Sequence, residues 1–447
     1  MSSIFGTDGI RSRVNTYPMT PDICLKISRA AGYILSNEDK INRVIIGKDT
    51  RLSGYVFEPI IASGFSSVGL EVLLVGPIPT PALAMLVGTL RADIGVMITA
   101  SHNTFQDNGL KIFDKNGYKI SRNLEKKIES YVLDDDKYNE INNSNIVTGK
   151  TKRLEDAAGR YTESIKNTFT KNKTLKGIKI VVDCANGATY KVAPEIFWEL
   201  GCEVIMIGNN PNGTNINDKC GAVYPNNLSK KVIEEKADIG LAFDGDGDRL
   251  IISDERGNII DGDKIIALLV NDYKKNNKLN NNKIITTLMS NIGFENYIKN
   301  LGLELIRTDV GDRNVIDMML KTSSNIGGEQ SGHIILSDYS KTGDGLLSAV
   351  QILDILTFNN KKASELFNLY DSIPQIQKNI LVKDKNKSFY ENRNLHNFIN
   401  NFNSNKQNSR LLVRPSGTES VIRILVEGSN IAEINEISMK VEQLIVK

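Results

Sequence analysis

The sequence lacks any apolar run that approaches the roughly 20 residues needed to span a bilayer, and no charged, apolar, small-residue leader opens it. We therefore expect a soluble, cytoplasmic protein with no membrane partner. A charge excess of either sign is also missing: the chain has 55 lysines and arginines and 53 aspartates and glutamates, and its formal net charge is +2. This balance argues against nucleic acid as a partner. Any attraction for an anionic substrate must be local.

Cysteine is scarce as well. The chain has four cysteines, which show no Cys-x-x-Cys spacing: Cys24, Cys184, Cys202 and Cys220. Cys184 and Cys202 lie in apolar surroundings that are typical of strands or their edges. We therefore expect reduced, mostly buried thiols in a reducing compartment.

The chain does contain a repeated series of landmarks. Gly69-Leu70-Glu71-Val72 is matched by Gly201-Cys202-Glu203-Val204, and Ala92-Asp93-Ile94-Gly95 by Ala237-Asp238-Ile239-Gly240. A fainter third copy runs from residues 283–287 to residues 325–333, although chance similarity between units of this kind could also explain it. Chance explains the first two copies poorly. Strands that alternate with helices indicate α/β units.

These units predict the fold class. At about 100 to 200 residues per domain, the length of 447 residues suffices for three or four domains. We predict an α/β protein in which three related α/β domains with mixed sheets and a smaller C-terminal α+β domain surround a central cleft. The expected domains are residues 1–150, 151–254, 255–369 and 370–447. Near the start, Thr20 as cap and Pro21 at the first helical position predict a helix to about Leu35.

Ser101 is the first candidate for a functional residue. The apolar run Ile94-Gly95-Val96-Met97-Ile98 predicts a buried strand, so Ser101 should emerge at its carboxyl end, where open α/β sheets place ligands. Most serines in loops form caps or turns. The adjacent His102 suggests a hydrolase, but the Gly-x-Ser-x-Gly motif is absent. Ser101 is therefore a candidate nucleophile or phosphoryl carrier.

Three aspartates, Asp244, Asp246 and Asp248, follow a second apolar run in the same way. Carboxylates about 4 Å apart repel by roughly 4 kcal/mol per pair at an effective dielectric near 20, so such a cluster needs a cation, and Mg²⁺ prefers these oxygen ligands. A solvated acidic turn is the simpler alternative. An EF-hand is disfavoured because Arg249 stands where that loop needs glycine. If the two loops meet, the carboxylates can hold a divalent cation against a phosphate on Ser101, which predicts phosphoryl transfer.

Three further groups are weaker candidates. Arg414, Ser416, Gly417 and Thr418 could form an anion-binding cradle, or an ordinary turn with an ion pair. Glu329, Ser331 and His333 alternate on a glycine-bounded loop that suits the hydroxyls of a small polar ligand, although His333 could be structural. Lys111 is either a solvated lysine or an acid/base group near Ser101.

Taken together, these residues resemble the α-D-phosphohexomutase superfamily nearly end to end. The motifs that carry the resemblance occur in the family's order: Phe5-Gly6-Thr7-Asp8-Gly9-Ile10-Arg11, Gly47-Lys48-Asp49-Thr50-Arg51, residues 99–103, residues 244–249, Gly328-Glu329-Gln330-Ser331-Gly332-His333 and residues 414–419. Each motif alone is modestly specific, whereas all of them in this order are highly specific.

The resemblance implies a role for each candidate. It places the phosphoserine at Ser101 and the Mg²⁺ ligands at Asp244, Asp246 and Asp248, with the Ser101 phosphate completing the site. Sugar recognition falls on Glu329, Ser331 and His333, and phosphate binding on Arg414, Ser416, Gly417 and Thr418. Arg11, Lys111 and Arg249 should line the reacting centre. Lys111 and His333 both stay open as the general acid/base.

The resemblance also implies a reaction. Glu329-Gln330-Ser331 is similar to the glucosamine branch of the family, which would interconvert glucosamine 6-phosphate and glucosamine 1-phosphate through a phosphoserine and a 1,6-bisphosphate and so feed UDP-N-acetylglucosamine and cell-wall synthesis. One Mg²⁺ per active site, a sugar 1,6-bisphosphate primer, a sugar-phosphate partner and a homodimer are the corresponding expectations. Ser12 and Thr104 depart from the family's glycine and proline.

Three alternatives stay open. The mannose or glucose branch of the family would prefer another hexose phosphate. A metal-dependent sugar phosphatase would release inorganic phosphate, and a non-enzymatic sugar-phosphate-binding protein would bind without interconversion.

Overall fold

A computed structural model describes residues 3–6, 8–36, 42–142, 147–359, 361–405, 409–416 and 420–446. These residues form four sheets of six, five, four and three strands in chain order along the sequence. Three mixed sheets with helices packed against them are followed by a smaller antiparallel sheet, which confirms the predicted fold class.

The first sheet has the strand order β1-β5-β4-β2-β3-β6. Strands β4, β2, β3 and β6 run parallel, and β5 and β1 are antiparallel to their neighbours. All five residues of β4 are buried, as expected for a strand that is covered on both faces. The elements of this part are β1 (Ile10–Arg13), α1 (Pro21–Leu35), β2 (Arg43–Lys48), α2 (Gly54–Ser67), β3 (Glu71–Pro77), α3 (Thr80–Thr89), β4 (Ile94–Ile98), β5 (Asp107–Asp114), α4 (Arg122–Leu133), α5 (Asp135–Asn142) and β6 (Thr151–Arg153).

The second sheet has the order β11-β10-β9-β7-β8, and the third has the order β13-β12-β14-β15. The second part contains α6 (Ala157–Lys166), β7 (Lys179–Asp183), α7 (Val192–Glu199), β8 (Glu203–Ile207), α8 (Asn226–Glu235), β9 (Ile239–Phe243), β10 (Leu250–Asp254) and β11 (Ile259–Ile260). The third contains α9 (Gly262–Lys275), β12 (Lys283–Thr287), α10 (Ile292–Asn300), β13 (Glu304–Thr308), α11 (Asp312–Thr322), β14 (Ile326–Gly328), β15 (Ile334–Leu336), α12 (Gly345–Asn359) and α13 (Ala363–Leu366).

The fourth sheet is antiparallel, with the order β16-β18-β17. It packs against two long helices, α14 and α15, through an apolar cluster of its own. Its elements are β16 (Gln375–Leu381), a π-helical turn (Asn386–Tyr390), α14 (Arg393–Asn405), β17 (Arg410–Pro415), β18 (Val421–Glu427) and α15 (Ile431–Val446).

The first three sheets repeat one arrangement. In each, three parallel strands are followed by a loop and then by an antiparallel strand: β4 leads to β5, β9 to β10 and β14 to β15. The faint third copy in the sequence is therefore confirmed. The three equivalent loops are named here the serine loop (residues 99–106), the acidic loop (residues 244–249) and the histidine loop (residues 329–333).

A shared apolar core brings these loops together. One buried cluster joins α3, β9 and α12 through Leu83, Phe243 and Leu346. Helix α12 is rich in apolar residues and is buried along most of its length, as expected for a helix at the centre of a large protein. The first three parts of the chain therefore pack as one body around α12.

Two short strands lie just beyond the expected boundaries at residues 150 and 254. Strand β6 pairs with β3 of the first sheet, and β11 pairs with β10 of the second. The domain boundaries stay predictions.

The four cysteines are free and buried, as predicted. Among the described residues, no helix combines the length and apolar character that crossing a membrane requires.

Candidate active site

Ser101 meets the acidic loop. Its backbone is left-handed, with φ of 50°, and its side chain is almost fully buried. The Thr99 hydroxyl accepts a 2.9 Å hydrogen bond from the Ser101 N–H. The Ser101 hydroxyl donates to Asp244 Oδ2 at 2.7 Å, and His102 Nδ1 lies farther away, at 3.4 Å. Ser101 thus faces a carboxylate, not the histidine that a hydrolase would use.

Two side chains hold the backbone of the serine loop. The guanidinium of Arg51 donates to the carbonyl oxygens of Ser101 and Asn103 at 2.9 and 2.8 Å and to Asp49 Oδ2 at 2.7 Å. From the second part of the chain, Asn217 Nδ2 donates to the same two carbonyls at 2.8 and 2.9 Å. These bonds hold the left-handed residue in place, which an isolated loop would not do.

The three aspartates of the acidic loop converge. One carboxylate oxygen from each of Asp244, Asp246 and Asp248 lies within 4.8 Å of the others, and all three residues are buried. Burial raises the pKa of Asp244 well above its usual value, and the charges of Asp248 and Asp246 raise it further. Asp246 Oδ1 and Asp248 Oδ1 are buried without a hydrogen-bond partner in the described part of the chain. Buried, unpartnered carboxylate oxygens fit a hard divalent cation.

Gly245 permits the close approach of the two loops. A Cβ at this position would lie 2.6 Å from the Ser101 carbonyl oxygen and 2.6 Å from Asn217 Nδ2. No side chain fits there, so the glycine between the aspartates is required by packing.

Lys111 is not a solvated lysine. It lies on β5, is buried, and contacts Asp246 Oδ2 at 2.8 Å and Asp248 Oδ2 at 3.0 Å. Burial alone would lower its pKa, but Asp246, Asp248 and Asp8 outweigh that effect and raise the pKa well above its usual value. The ammonium group therefore stays charged beside the aspartates.

The histidine loop approaches the acidic loop from the third part of the chain. His333 forms a β-bridge with Arg249, and its Nδ1 lies 3.6 Å from Asp248 Oδ1. Its Nε2 accepts from the Gly343 N–H at 3.1 Å. Burial lowers the pKa of His333, but Asp248, Asp312 and Glu329 outweigh this and raise it to about 8.

Glu329 and Ser331 share this loop but differ in their surroundings. Glu329 is buried, and its Oε1 accepts from the Gly311 N–H at 3.1 Å. Ser331 is exposed at the tip of the loop. The structure therefore brings Glu329, but not Ser331, into the packed part of the site.

Arg11, on β1, is the remaining candidate residue in the first part of the chain. It donates to Asp8 Oδ2 at 2.9 Å and to Asn103 Oδ1 at 3.5 Å. Asp8 also forms an ion pair with Lys119, and Lys119 contacts Asp312 at the start of α11. A chain of charges thus links the first part of the protein to the third.

The fourth part supplies Arg414. It faces Arg423 on the neighbouring strand. Burial lowers the pKa of Arg414 and Arg423 lowers it further, whereas Asp309 and Glu329 oppose the shift. Like charges directly opposite each other on neighbouring strands repel.

Ser416, next to this strand end, is buried. Its N–H donates to the Val421 carbonyl at 2.9 Å, and its own carbonyl accepts from Lys385. Gly417 and Thr418, the other two residues expected to bind phosphate, lie outside the described residues.

Several residues that contact the candidate site residues were not assigned a role from the sequence. Thr80 donates its hydroxyl to Asp246 Oδ2 at 2.5 Å, and its N–H donates to the Asp246 carbonyl at 2.9 Å. Arg51 and Asp8 belong to two of the motifs quoted above, Gly47–Arg51 and Phe5–Arg11, and membership of those motifs was the available signal. Thr80 lies in a proline-rich turn, and its sequence context gave no signal of a functional contact.

This arrangement suits phosphoryl transfer. A buried hydroxyl, a carboxylate triplet that could hold a cation and fixed cationic side chains can position a phosphoryl group and offset its charge. An EF-hand is excluded, because the acidic loop joins the antiparallel strands β9 and β10 and not two helices.

Four family models match nearly the whole chain. Three are the phosphoglucomutase/phosphomannomutase alpha/beta/alpha domains I, II and III, which match residues 2–139, 159–257 and 261–373, and the fourth is the C-terminal domain, which matches residues 374–444.

Curated relatives cover the chain to a similar extent. A phosphoglucosamine mutase of Parvibaculum lavamentivorans is 47% identical over 443 residues, which is 98% of this chain and 98% of the relative. Another, of Rhizobium rhizogenes, is 48% identical over 433 residues, which is 97% of this chain and 96% of the relative.

Solved structures share the fold. A phosphoglucomutase/phosphomannomutase family protein of Burkholderia thailandensis superposes with a TM-score of 0.81 at 23% identity, over 99% of this chain and 96% of the other. Aspergillus fumigatus N-acetylphosphoglucosamine mutase, solved with GlcNAc-6P and magnesium, superposes with a TM-score of 0.67 at 17% identity, over 99% and 95%.

Proposed function

Because the chain belongs to the phosphoglucomutase/phosphomannomutase family, we propose that it is a phosphoglucosamine mutase, which interconverts glucosamine 6-phosphate and glucosamine 1-phosphate. It is an isomerase of the phosphohexomutase superfamily. The observation that supports the reaction best is the hydrogen bond from the Ser101 hydroxyl to Asp244, 143 residues away in the chain.

We propose Ser101 as the phosphoryl carrier. In the first half-reaction the sugar O1 hydroxyl attacks phosphorus, a new P–O bond forms and the bond from phosphorus to Ser101 Oγ breaks. The proton of the attacking hydroxyl leaves to a base, and Ser101 Oγ takes up a proton, which makes it the donor to Asp244 seen here. In the second half-reaction the Ser101 hydroxyl gives its proton to a base and attacks the 6-phosphate of the 1,6-bisphosphate. A bond from phosphorus to Ser101 Oγ forms, the bond from phosphorus to the sugar O6 breaks, O6 takes up a proton, and glucosamine 1-phosphate is released.

Lys111 and His333 are the two candidates for the proton transfers. Both contact Asp248, Lys111 at 3.0 Å and His333 at 3.6 Å, so both stand beside the acidic loop. The charge of Lys111 also offsets negative charge on the transferred group.

The acidic loop would hold the metal. Asp244, Asp246 and Asp248, with a phosphate on Ser101, fit Mg²⁺ because their oxygens are buried and partly unpartnered. When bound, Mg²⁺ would neutralise part of the charge on the transferred phosphoryl group. Thr80 and Lys111 keep the Asp246 carboxylate in place.

The remaining candidates would bind the substrate. Glu329, with Ser331 and His333, would read the sugar hydroxyls. Arg414 and Ser416, with Gly417 and Thr418, would hold the phosphate that is not reacting. The opposed pair of Arg414 and Arg423 supports this role, since an anion would relieve their repulsion.

A sugar 1,6-bisphosphate would prime the enzyme by phosphorylating Ser101. The four free thiols support a reducing compartment such as the cytoplasm as the place of action. There the product would feed UDP-N-acetylglucosamine synthesis.

The test is a coupled assay with glucosamine 6-phosphate, Mg²⁺ and a trace of glucose 1,6-bisphosphate, together with the intact mass of the protein. We expect glucosamine 1-phosphate to form, and the mass to rise by one phosphoryl group after incubation with the bisphosphate. Glucose and mannose 6-phosphates should react more slowly. Stoichiometric release of inorganic phosphate would indicate a phosphatase, a preference for mannose would indicate another branch of the family, and tight binding without turnover would indicate a binding protein.

A further inference from the structure

Gln330, in the middle of the histidine loop, links that loop to the fourth part of the chain. Its side-chain Nε2 donates one hydrogen bond to Asp261 Oδ2 and one to Gln375 Oε1, both at 3.2 Å. Asp261 is the N-cap of α9, and Gln375 is the first residue of β16. Both hydrogens of the Gln330 amide are therefore used within the protein, with none left for a sugar.

The contact continues into a buried network in the fourth part. Gln375 Nε2 donates to Glu427 Oε1 at 2.5 Å, and Glu427 is fully buried. Glu427 Oε2 accepts from Arg410 Nε at 2.7 Å, and Arg410 Nη2 donates back to the Ser290 carbonyl of the third part at 3.0 Å. Gln375 is thus fixed by partners on both sides of the junction.

The junction between these parts is polar. The Asn291 side chain donates to the Ile373 carbonyl at 2.8 Å and accepts from the Ile373 N–H at 3.0 Å, which fixes the connecting strand just before β16. The third and fourth parts contribute to separate apolar clusters. Since hydrogen bonds need defined geometry, this junction fixes the relative position of the two parts more sharply than an apolar contact would.

The residues proposed to bind the substrate lie at the two ends of this junction. Glu329 immediately precedes Gln330, and Arg414 lies on β17 of the same sheet as Gln375. Arg414 is close enough to Glu329 for their charges to interact. A shift of β16 would therefore move Arg414 relative to Glu329, unless Gln330 moved the histidine loop with it.

We propose that Gln330 is a positioning residue: its hydrogen bond to Gln375 sets the distance between the sugar-binding residues of the histidine loop and the phosphate-binding residues of the fourth part. The inference rests on the proposed function, because it assigns those groups to one substrate. It differs from a role in reading the sugar, which is what a branch-specific residue in this loop would otherwise suggest.

The experiment compares Gln330→Met, Gln375→Met and the double variant, because methionine keeps the length of the side chain and removes its amide. We expect each single variant to raise the KM for glucosamine 6-phosphate by about threefold to tenfold, the loss of one or two hydrogen bonds. The kcat should stay within about twofold of wild type, and the ratio of glucosamine to glucose 6-phosphate turnover should not change. Gln330→Met also removes the bond to Asp261, and Gln375→Met also removes the bond to Glu427. The double variant should therefore be more impaired than either single variant but less than the sum of the two, since both remove the same Gln330–Gln375 link.

Gln377→Met is the matched control. Gln377 lies two residues along β16, is exposed, and has no side-chain hydrogen bond to any residue in the described ranges, so its kinetics should match wild type. A changed sugar ratio in Gln330→Met with normal kinetics in Gln375→Met would overturn the proposal in favour of direct sugar reading. Additive effects of the two changes would overturn it as well.

Hydrogen exchange tests the link between Gln330 and Gln375 independently of the proposed function. In Gln375→Met, the amides of residues 329–333 should exchange faster than in wild type and in Gln377→Met, although the substitution is in another part of the chain. This readout needs no turnover. Unchanged exchange would contradict the link even in an active enzyme, whereas an inactive wild type with the expected exchange would contradict only the mutase assignment.

Discussion

The hydroxyl of Ser101 and Oδ2 of Asp244 are 2.7 Å apart, although their loops follow strands of different sheets. The two loops occupy the same position in two copies of one α/β unit, each after the third parallel strand. The shared core around α12 brings the two sheet edges together. The contact therefore results from the packing of repeated units.

Ser101→Ala tests the phosphoryl carrier. If the phosphoryl group passes through this hydroxyl, its removal should lower kcat by about 10³-fold or more and abolish the mass increase after incubation with the bisphosphate. Ser63→Ala, at an exposed position of α2, should behave as wild type in both measurements. Undiminished turnover in Ser101→Ala would exclude the mechanism.

Asp246→Asn tests the metal site. The amide removes one negative charge and offers a weaker ligand, so Mg²⁺ should bind at least about tenfold more weakly by calorimetry, and kcat should fall more than affinity for the sugar. The exposed Asp136 of α5 provides the matched control Asp136→Asn. Equal activity of the wild type in excess chelator would contradict a role for the metal.

Arg51→Lys tests the support of the serine loop. Lysine keeps the charge but cannot reach the carbonyls of Ser101 and Asn103 together with Asp49. We expect a loss of stability of about 2 kcal/mol from unsatisfied buried acceptors, seen as a lower thermal midpoint, and slower phosphorylation of Ser101. A normal rate of phosphorylation would show that Asn217 alone holds the loop.

The pH dependence of stability should reflect Asp263 of α9. Burial raises the pKa of this carboxyl from 3.8 to about 7, and Asp261 adds to the shift, while hydrogen bonds from Asn291 and Ser290 and the charge of Arg307 oppose it. The folded state holds the proton more tightly than the unfolded state. This contribution to stability is therefore complete below about pH 4 and is lost as the pH rises to about 7, by at most about 4 kcal/mol at about 1.4 kcal/mol per pKa unit.

The measurement is the thermal midpoint of wild type and Asp263→Asn between pH 4.5 and 8.5. The variant cannot ionise, so the difference between variant and wild type should shift in favour of the variant as the pH rises. A constant difference across this range would show that Asp263 does not titrate as expected.

Local sequence patterns were sufficient for most of the fold. The predicted strand at residues 94–98 has those bounds, and the predicted helix from Pro21 ends at Leu35. The strand is buried and apolar, and the helix begins with proline at its first position, so the local signals agree with the environment. Thr20 is the residue before that helix, as predicted, but its side chain makes no capping hydrogen bond. The C-terminal part contains both strands and helices, as the predicted α+β domain requires, and β17 pairs with β18.

The meeting of the serine loop and the acidic loop was predictable, because an apolar strand leads directly into each motif, and Ser101 does contact one of the three converging aspartates. Thr80 and Gln330 show what a motif cannot reveal. The partner of Thr80 is Asp246, 166 residues away, and the amide of Gln330 donates to Asp261 and to Gln375 of the fourth part of the chain. Such contacts depend on how separate units pack, which no local pattern encodes.

Glu125→Leu and Arg313→Leu test the junction between the first and third parts of the chain. Arg313 of α11 donates to both carboxylate oxygens of Glu125 on α4, at 2.7 and 2.5 Å, and both residues are buried. Each single substitution leaves a buried charge unpaired and should cost about 3 to 5 kcal/mol, whereas the double substitution should cost less than the sum. The midpoint of urea denaturation measures this. Glu235→Gln, which breaks the solvent-accessible pair of Glu235 and Lys231 on α8, should cost far less because solvent screens the pair, and an equal loss in Glu125→Leu would show that burial adds nothing to the Arg313 pair.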